Sequence, residues 1–210
     1  MAARLKAEYV AGSEDFDSTA KIVNFSVLAG HKERQTVQGS EVASFETLML
    51  PHLDAAYNLA RWLLRNEEDA RDVVQDAYLR AFRSFGGFHG SNGRPWLLTI
   101  VRNTAYSLIK KNQSVHVTTT FDEEEYVVDR GPVSPATQLE QNEESKFVRE
   151  AIDRLPDEFR EILVLRHLEG LSYKEIADVA QLAPGTVMSR LARARAKLKE
   201  FLKPGTGKEI

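Results

Sequence analysis

The sequence predicts an all-α protein with two small helical domains, the second a helix-turn-helix, joined by a flexible acidic linker. Apolar residues recur at spacings of three and four through two separate stretches of the chain. Between them no period persists, and prolines, a glycine and a run of acids replace it. No stretch of any length alternates as a strand would. The predicted organisation is a flexible N-terminal arm (1–43), a first domain (44–112), a linker (113–142), a second domain (143–203) and a tail (204–210).

Composition narrows the class of protein. The chain has 210 residues, 42% hydrophobic and 28% charged, which is ordinary for soluble globular proteins. It contains no cysteine, so no disulfide, thiolate metal site or redox switch is expected within it. No apolar run approaches eighteen residues, so we expect no membrane insertion, and no signal peptide is recognisable at the N-terminus. These features favour a cytoplasmic location.

The net charge of −3 conceals two basic blocks. Residues 94–112 hold four bases and no acids, and residues 184–203 hold six bases and one acid. Residues 113–145, between them, hold eight acids and one base. Such a chain is able to bind a polyanion at two places despite its overall charge.

The first domain contains several predicted helices. An apolar series from Phe45 to Leu64 has helical spacing, and Asn66 is the predicted N-cap of the next helix, which runs to about Phe85. A glycine-rich segment then breaks the pattern. Pro95 is predicted to be the first residue of a helix that ends at Lys110 and Lys111.

The second domain ends in a predicted helix-turn-helix. One helix covers about residues 143–155, and a second opens at Pro156 and stops at Gly170. Ser172 and Glu175 form a capping box that starts the third helix. Residues 181–183 break it, and Pro184 opens the last helix.

The last helix has a buried seam and a basic face. The seam consists of Val187, Leu191, Ala194 and Leu198. The second helix of a helix-turn-helix can enter the DNA major groove, where an arginine can donate two hydrogen bonds to the edge of a guanine. A solvated face of an ordinary helical hairpin is the alternative, which the cap, the short break and the opening proline together disfavour. The side chains predicted to contact DNA are Thr186, Ser189, Arg190, Arg193, Arg195 and Lys197. Of these, Arg195 and Lys197 are expected to contact phosphates, as is Lys199.

The first basic block follows a loop that offers aromatic, amide and glycine residues. This combination suits unstacked, single-stranded bases, although Phe88 and Trp96 could equally be packing residues. On the preceding helix Asp72, Gln75 and Asp76 share one polar face, which a solvated surface explains equally well. The five histidines show no ligand spacing, so no metal and no cofactor is expected.

The sequence resembles a bacterial sigma factor of the extracytoplasmic-function group, in the sigma-70 family, from about Phe45 to Leu202. "EGLSYKEIA" and "GTVMSRLARAR" resemble its domain 4, and "DVVQDAYLRAF" with "WLLTIVRN" resembles its domain 2. The short linker, without a third folded domain, is also typical of the group. One departure is Arg94-Pro95, where many relatives carry an aromatic residue just before the tryptophan.

The resemblance implies an alternative sigma factor without chemistry of its own, which would bind core RNA polymerase and promoter DNA. Asp72, Gln75 and Asp76 would contact the β′ clamp helices, and domain 4 would dock on the β flap tip. The last helix would read the minus-35 element. An anti-sigma factor would hold the protein inactive, and the active protein would be nucleoid-associated. The minus-10 element would be melted and read by Phe88, His89, Asn92, Arg94, Trp96, Arg102, Asn103, Lys110 and Lys111.

Three other functions are alternatives to this one. A stand-alone helix-turn-helix regulator would leave the first basic block unexplained. An enzyme would need a nucleophile, a metal site or a phosphate loop, none of which is recognisable. A scaffold would bind polymerase without supporting transcription.

The acidic linker has two interpretations. The resemblance implies that its run of acids at 122–125 mimics RNA in the polymerase channel. Alternatively, the acids only keep a tether between the two domains extended.

Overall fold

The computed structural model describes residues 35–90, 92–117 and 143–203, which fall into two separate compact units. These residues form α-helices, short 3₁₀ turns and loops, and the described ranges contain no β-strand. The predicted all-α class is therefore confirmed. The acidic run at 122–125, the arm up to residue 34 and the tail from residue 204 lie outside the described residues.

The described residues of the first unit form four α-helices and two 3₁₀ turns. The turns cover Leu50–His52 and Phe85–Gly87. Helices α2, α3 and α4 pack against one another in every pairing. The helices are α1 (Gln35–Met49), α2 (Leu53–Leu64), α3 (Glu67–Ser84) and α4 (Gly93–Val117).

An aromatic cluster ties α1 to α3. The ring of Phe45 is fully buried and meets Tyr78, Phe82 and Phe85 edge-on, with ring centroids 6.2, 5.3 and 5.1 Å away. Edge-to-face pairs of this kind add about 0.5–1.5 kcal/mol each to the area they bury. Phe45 is therefore a core residue of the first unit, as its place in the helical series predicted.

Local sequence accounts for the helix ends in this unit. Pro51 lacks a backbone N–H, and the helical series that begins at Phe45 is interrupted there by a 3₁₀ turn. The Asn66 side chain accepts hydrogen bonds from the backbone N–H groups of Glu68 and Asp69, at 2.8 and 3.1 Å. The predicted N-cap is confirmed, and it satisfies two donors that α3 would otherwise leave unpaired.

Residues 143–203, the described part of the second unit, form four α-helices. They are α5 (Glu143–Asp153), α6 (Asp157–His167), α7 (Tyr173–Ala180) and α8 (Pro184–Phe201). Helix α8 packs on α6 and α7 through its apolar seam. All four helices begin within about one residue of their predicted starts.

A buried arginine organises the turn between α5 and α6. The Arg160 side chain is almost completely buried, and its Nη1 donates to the carbonyl oxygens of Asp153 and Leu155, both at 3.2 Å. Its Nη2 bonds the Asp157 carboxylate. Buried charges require such partners, and Arg160 thereby caps the carbonyl of Asp153, the last residue of α5, and that of Leu155 in the following turn.

The helix-turn-helix geometry follows from its turn residues. Ser172 and Glu175 form the predicted capping box: each side chain accepts from the other residue's backbone N–H. Gln181 ends α7 in the left-handed region, with φ 55°, and its N–H donates to the Ala177 carbonyl. Pro184 is the first residue of α8, as predicted.

Three predicted boundaries require correction. Helix α1 begins at Gln35, inside the segment predicted to be a flexible arm. Helix α4 runs on to Val117, beyond the predicted start of the linker at 113, because Gln113 and Ser114 tolerate a helix that has already begun. It also begins at Gly93 rather than at Pro95, which lies within its first turn, where a missing N–H costs nothing.

Candidate nucleic-acid interface

Helix α8 separates its apolar seam from its polar side chains. Val187, Leu191, Ala194 and Leu198 are buried, as their spacing predicted. The predicted DNA-contacting residues lie outside this seam: Ser189, Arg193, Arg195 and Lys197 are exposed, and Thr186 and Arg190 are half-buried. The helix therefore presents basic and hydroxyl side chains outside its buried seam.

Two of these arginines are held by α6. Arg190 Nη2 lies 3.1 Å from Glu158 Oε2, and Arg195 Nε donates to His167 Nε2 at 3.2 Å. An imidazole nitrogen that accepts must carry no proton, and burial together with the Arg195 and Arg166 charges lowers the pKa of His167. Neither contact was predicted, because each joins residues far apart in the sequence.

Met188 was missed by the sequence analysis. It lies between the seam residue Val187 and the polar Ser189, and it is 52% exposed. A large apolar side chain with this exposure on a basic helix can contact the methyl group of thymine. The signal was present in the sequence, since Met188 falls off the spacing of the seam.

The loop before α4 already packs some of its aromatic side chains. The Phe88 ring is half-buried, with centroids 4.9 Å from Trp96 and 6.1 Å from Phe85. His89 and Asn92 are exposed, and the Asn92 side chain accepts from the Arg94 N–H at 3.3 Å. The packing interpretation of Phe88 and Trp96 thus has geometric support, while His89 and Asn92 are the accessible members of the loop.

Gly93 serves packing. A Cβ at Gly93 would lie 2.9 Å from Met49 Cε and 3.1 Å from Met49 Sδ, and Met49 is fully buried. This glycine allows the start of α4 to approach the end of α1, a packing role that the sequence alone does not show.

Helix α4 carries the rest of the predicted minus-10 residues. Trp96, Asn103 and Lys110 recur every seven residues, which is about two helical turns, so they form one line along α4. Asn103, Lys110 and Lys111 are exposed; Arg94, Trp96 and Arg102 are half-buried. The Arg102 guanidinium lies over the Tyr106 ring, 4.7 Å from its centroid.

The predicted polymerase-contacting face lies on α3. Asp72 and Gln75 are exposed, as expected of an interaction surface. Asp76 is half-buried and forms an ion pair with Arg80, whose Nε and Nη2 lie 2.9 and 2.8 Å from Asp76 Oδ2. Exposed pairs of this i,i+4 type contribute about 0.3–0.5 kcal/mol, so this one is easily exchanged for another partner.

The described residues contain neither a candidate membrane span nor a candidate metal site. No helix there is both long enough and apolar enough to cross a membrane. Within the same ranges no group of three or more His, Asp or Glu side chains could hold a metal ion.

The fold and this interface define a helix-turn-helix DNA-binding protein with a second helical unit. Two family models match the chain: "Sigma-70 region 2" over residues 48–115 and "Sigma-70, region 4" over residues 148–198. The matches coincide with the first and second units.

Named relatives span both units. RNA polymerase sigma-H factor of Pseudomonas aeruginosa is 30% identical over 177 residues, covering 81% of this chain and 92% of that protein. ECF RNA polymerase sigma factor SigE of Mycolicibacterium smegmatis is 31% identical over 159 residues; the match covers 76% of this chain and 62% of the relative.

A solved structure has a similar fold. The sigma factor RpoE of Bartonella quintana, crystallised with the anti-sigma factor NepR, aligns with a TM-score of 0.63 and 31% identity, covering 77% of this chain and 98% of that one. The chain belongs to the extracytoplasmic-function group of bacterial RNA polymerase sigma factors, in the sigma-70 family. It is an alternative sigma factor, a protein that directs RNA polymerase to promoters.

Proposed function

We propose that this chain binds core RNA polymerase in the cytoplasm through α3, reads a minus-35 element through α8, and opens and reads a minus-10 element through the loop and helix around α4. It carries no catalytic chemistry of its own. The observation that supports this most is the basic face of α8, whose side chains are exposed or half-buried, in a helix-turn-helix whose first helix starts with a capping box.

At the minus-35 element Arg190 donates two hydrogen bonds to a guanine, while Ser189, Thr186 and Arg193 contact neighbouring bases or phosphates. Met188 joins this set through its exposed apolar side chain. Arg195, Lys197 and Lys199 bind phosphates, which position the protein without specifying the sequence.

At the minus-10 element the exposed His89 and Asn92 meet unstacked bases, and the line of Trp96, Asn103 and Lys110 follows the separated strand. Phe88 supports this site by packing on Trp96. Arg94, Arg102 and Lys111 supply further positive charge along the same helix.

An anti-sigma factor restrains the protein until a signal releases it, and the released protein becomes nucleoid-associated. Similar structures include RpoE with the anti-sigma factor NepR and CnrH with the cytosolic domain of CnrY, the latter at a TM-score of 0.55 and 27% identity. With no cysteine in this chain, thiol sensing would have to reside in the partner.

The deciding experiment is run-off transcription with purified chain, core polymerase and genomic fragments. Specific transcripts that require both proteins are expected. Promoter binding of the same strength without core polymerase would favour a stand-alone regulator. Core binding without transcripts on any fragment would favour a scaffold.

A further inference from the structure

One ion pair joins the recognition helix to the rest of its unit. Glu158 lies in the first turn of α6, and its Oε2 is 3.1 Å from Arg190 Nη2. The Arg190 side chain is 27% exposed and that of Glu158 is 50% exposed. The pair therefore lies at the edge of the α6–α8 contact, where one side of the guanidinium faces protein and another faces solvent.

The geometry leaves Arg190 able to bind a base. A guanidinium has five N–H donors in a planar fork, and the ion pair engages Nη2 alone. A guanine edge requires two parallel donors, so the fork can hold Glu158 and a base at the same time. A free arginine would lose rotamer freedom on binding, whereas an arginine already held by a carboxylate has lost part of it.

The support for Glu158 is itself rigid. Helix α6 packs along α8, and the adjacent Asp157 bonds the buried Arg160 at the start of the same helix. The helix N-terminus also favours a carboxylate there, because its N–H groups carry partial positive charge. Glu158 can thus hold Arg190 without any movement of the backbone.

We propose that Glu158 is a positioning residue for promoter discrimination: it orients the Arg190 guanidinium toward one minus-35 base pair. The proposal rests on the proposed function of α8. Two other roles predict different behaviour. A carboxylate that competed with DNA for Arg190 would weaken all binding, and one that only stabilised the start of α6 would not affect base preference.

The test uses holoenzyme assembled from the full chain and core polymerase. Selection from a promoter library randomised at the minus-35 element gives the preferred sequence, and single-base-pair variants then give the discrimination at each position. Five proteins are compared: parent, Glu158→Ala, Glu158→Gln, Arg190→Ala and the double variant Glu158→Ala with Arg190→Ala. Asp178→Ala is the matched control, since Asp178 is an exposed acid on α7 and loses the same charge.

The expected result is confined to one base pair. Glu158→Ala lowers discrimination about fivefold at the position that Arg190→Ala relaxes, a part of what a bidentate contact supplies. Glu158→Gln falls between, because an amide oxygen still accepts from Arg190. The double variant discriminates no worse than Arg190→Ala, and Asp178→Ala discriminates like the parent.

Other outcomes overturn the proposal in distinguishable ways. Tighter binding to every sequence by Glu158→Ala, beyond that of Asp178→Ala, with discrimination intact, makes Glu158 a competitor. A lower melting temperature with unchanged discrimination makes it a helix stabiliser. If Arg190→Ala relaxes a position and Glu158→Ala does not, this inference alone fails. If Arg190→Ala relaxes none, base reading by Arg190 fails with it.

Discussion

The Tyr78 hydroxyl donates a buried hydrogen bond of 2.8 Å to the carbonyl oxygen of Met49, 29 residues earlier in the chain. The contact joins the middle of α3 to the end of α1. It lies beside the rings that surround Phe45, and Met49 also contacts the start of α4 through Gly93. One buried hydroxyl thus fixes the point where α1, α3 and α4 meet.

Removing that hydroxyl should destabilise the first unit. Tyr78→Phe leaves the buried Met49 carbonyl without this donor, so we expect a loss of about 1–3 kcal/mol in its free energy of unfolding. Trp62 and Trp96 are the two tryptophans of the chain, and both lie in the first unit, so tryptophan fluorescence in urea follows that unit selectively. Tyr173→Phe, a more exposed tyrosine of the second unit, should leave the fluorescence transition unchanged.

The buried Tyr78 hydroxyl should also make the free energy of unfolding of the first unit fall at alkaline pH. Burial, with a smaller effect from Asp54, raises the pKa of Tyr78 well above its usual value. The folded state thus keeps a proton that the unfolded chain releases near pH 10, so this contribution is complete below about pH 10 and declines as the pH rises above it. The pKa of Tyr57 is also raised, by burial first. Tyr78→Phe should therefore reduce, without abolishing, the loss of stability between pH 9 and pH 11 measured by fluorescence, roughly the range in which unfolded tyrosines titrate. An unchanged slope would contradict the assignment.

Arg190 and Lys199 should behave differently in DNA binding. Arg190→Ala should cost about 1–3 kcal/mol and relax specificity at one minus-35 base pair, because a bidentate contact is lost. Lys199→Ala should weaken all sequences alike and lower the salt slope by about one, as expected for a phosphate contact. Holoenzyme titrations of promoter variants at several salt concentrations measure both quantities. A Lys199→Ala variant with altered base preference would contradict this division.

The polymerase-contacting face can be tested by charge reversal. Asp72→Lys with Asp76→Lys should abolish assembly with core polymerase, while helicity and melting stay close to the parent, since surface changes usually remain within about 0.5 kcal/mol. The Asp76–Arg80 ion pair is lost in this variant, so Arg80→Gln serves as one control and should assemble normally. Glu68→Lys, an exposed acid in the first turn of the same helix, is the second control. Assembly is measured by gel filtration with core polymerase, and equal assembly by all variants would contradict the assignment.

Local chemistry made much of this fold predictable. The Asn66 cap, the Ser172–Glu175 box and the Pro184 start each depend on residues within one turn, so the sequence carries them directly. The Asp76–Arg80 pair is equally local, because its i,i+4 spacing on a helix is visible in the sequence.

The remaining features depend on packing between distant segments. Glu158 and Arg190, or His167 and Arg195, meet only because α6 lies along α8. No spacing rule relates such residues. The same holds for Phe88 and Gly93: the sequence left Phe88 open between DNA contact and packing, and it shows neither the Trp96 ring beside Phe88 nor the Met49 side chain beside Gly93.

The loop before α4 gives the last prediction, which separates accessible residues from packed ones. His89→Ala and Asn92→Ala remove exposed side chains, so melting should remain near that of the parent while open-complex formation on a duplex promoter slows. Phe88→Ala removes a ring packed between Trp96 and Phe85, so it should lower both the melting temperature and the opening rate.

Opening is followed by permanganate reactivity of unpaired thymines. A template with a pre-melted bubble should rescue the part of each defect that is due to strand separation. A defect that persists on this template is due to base reading. Normal opening by His89→Ala and Asn92→Ala on both templates would leave this loop as packing around Trp96.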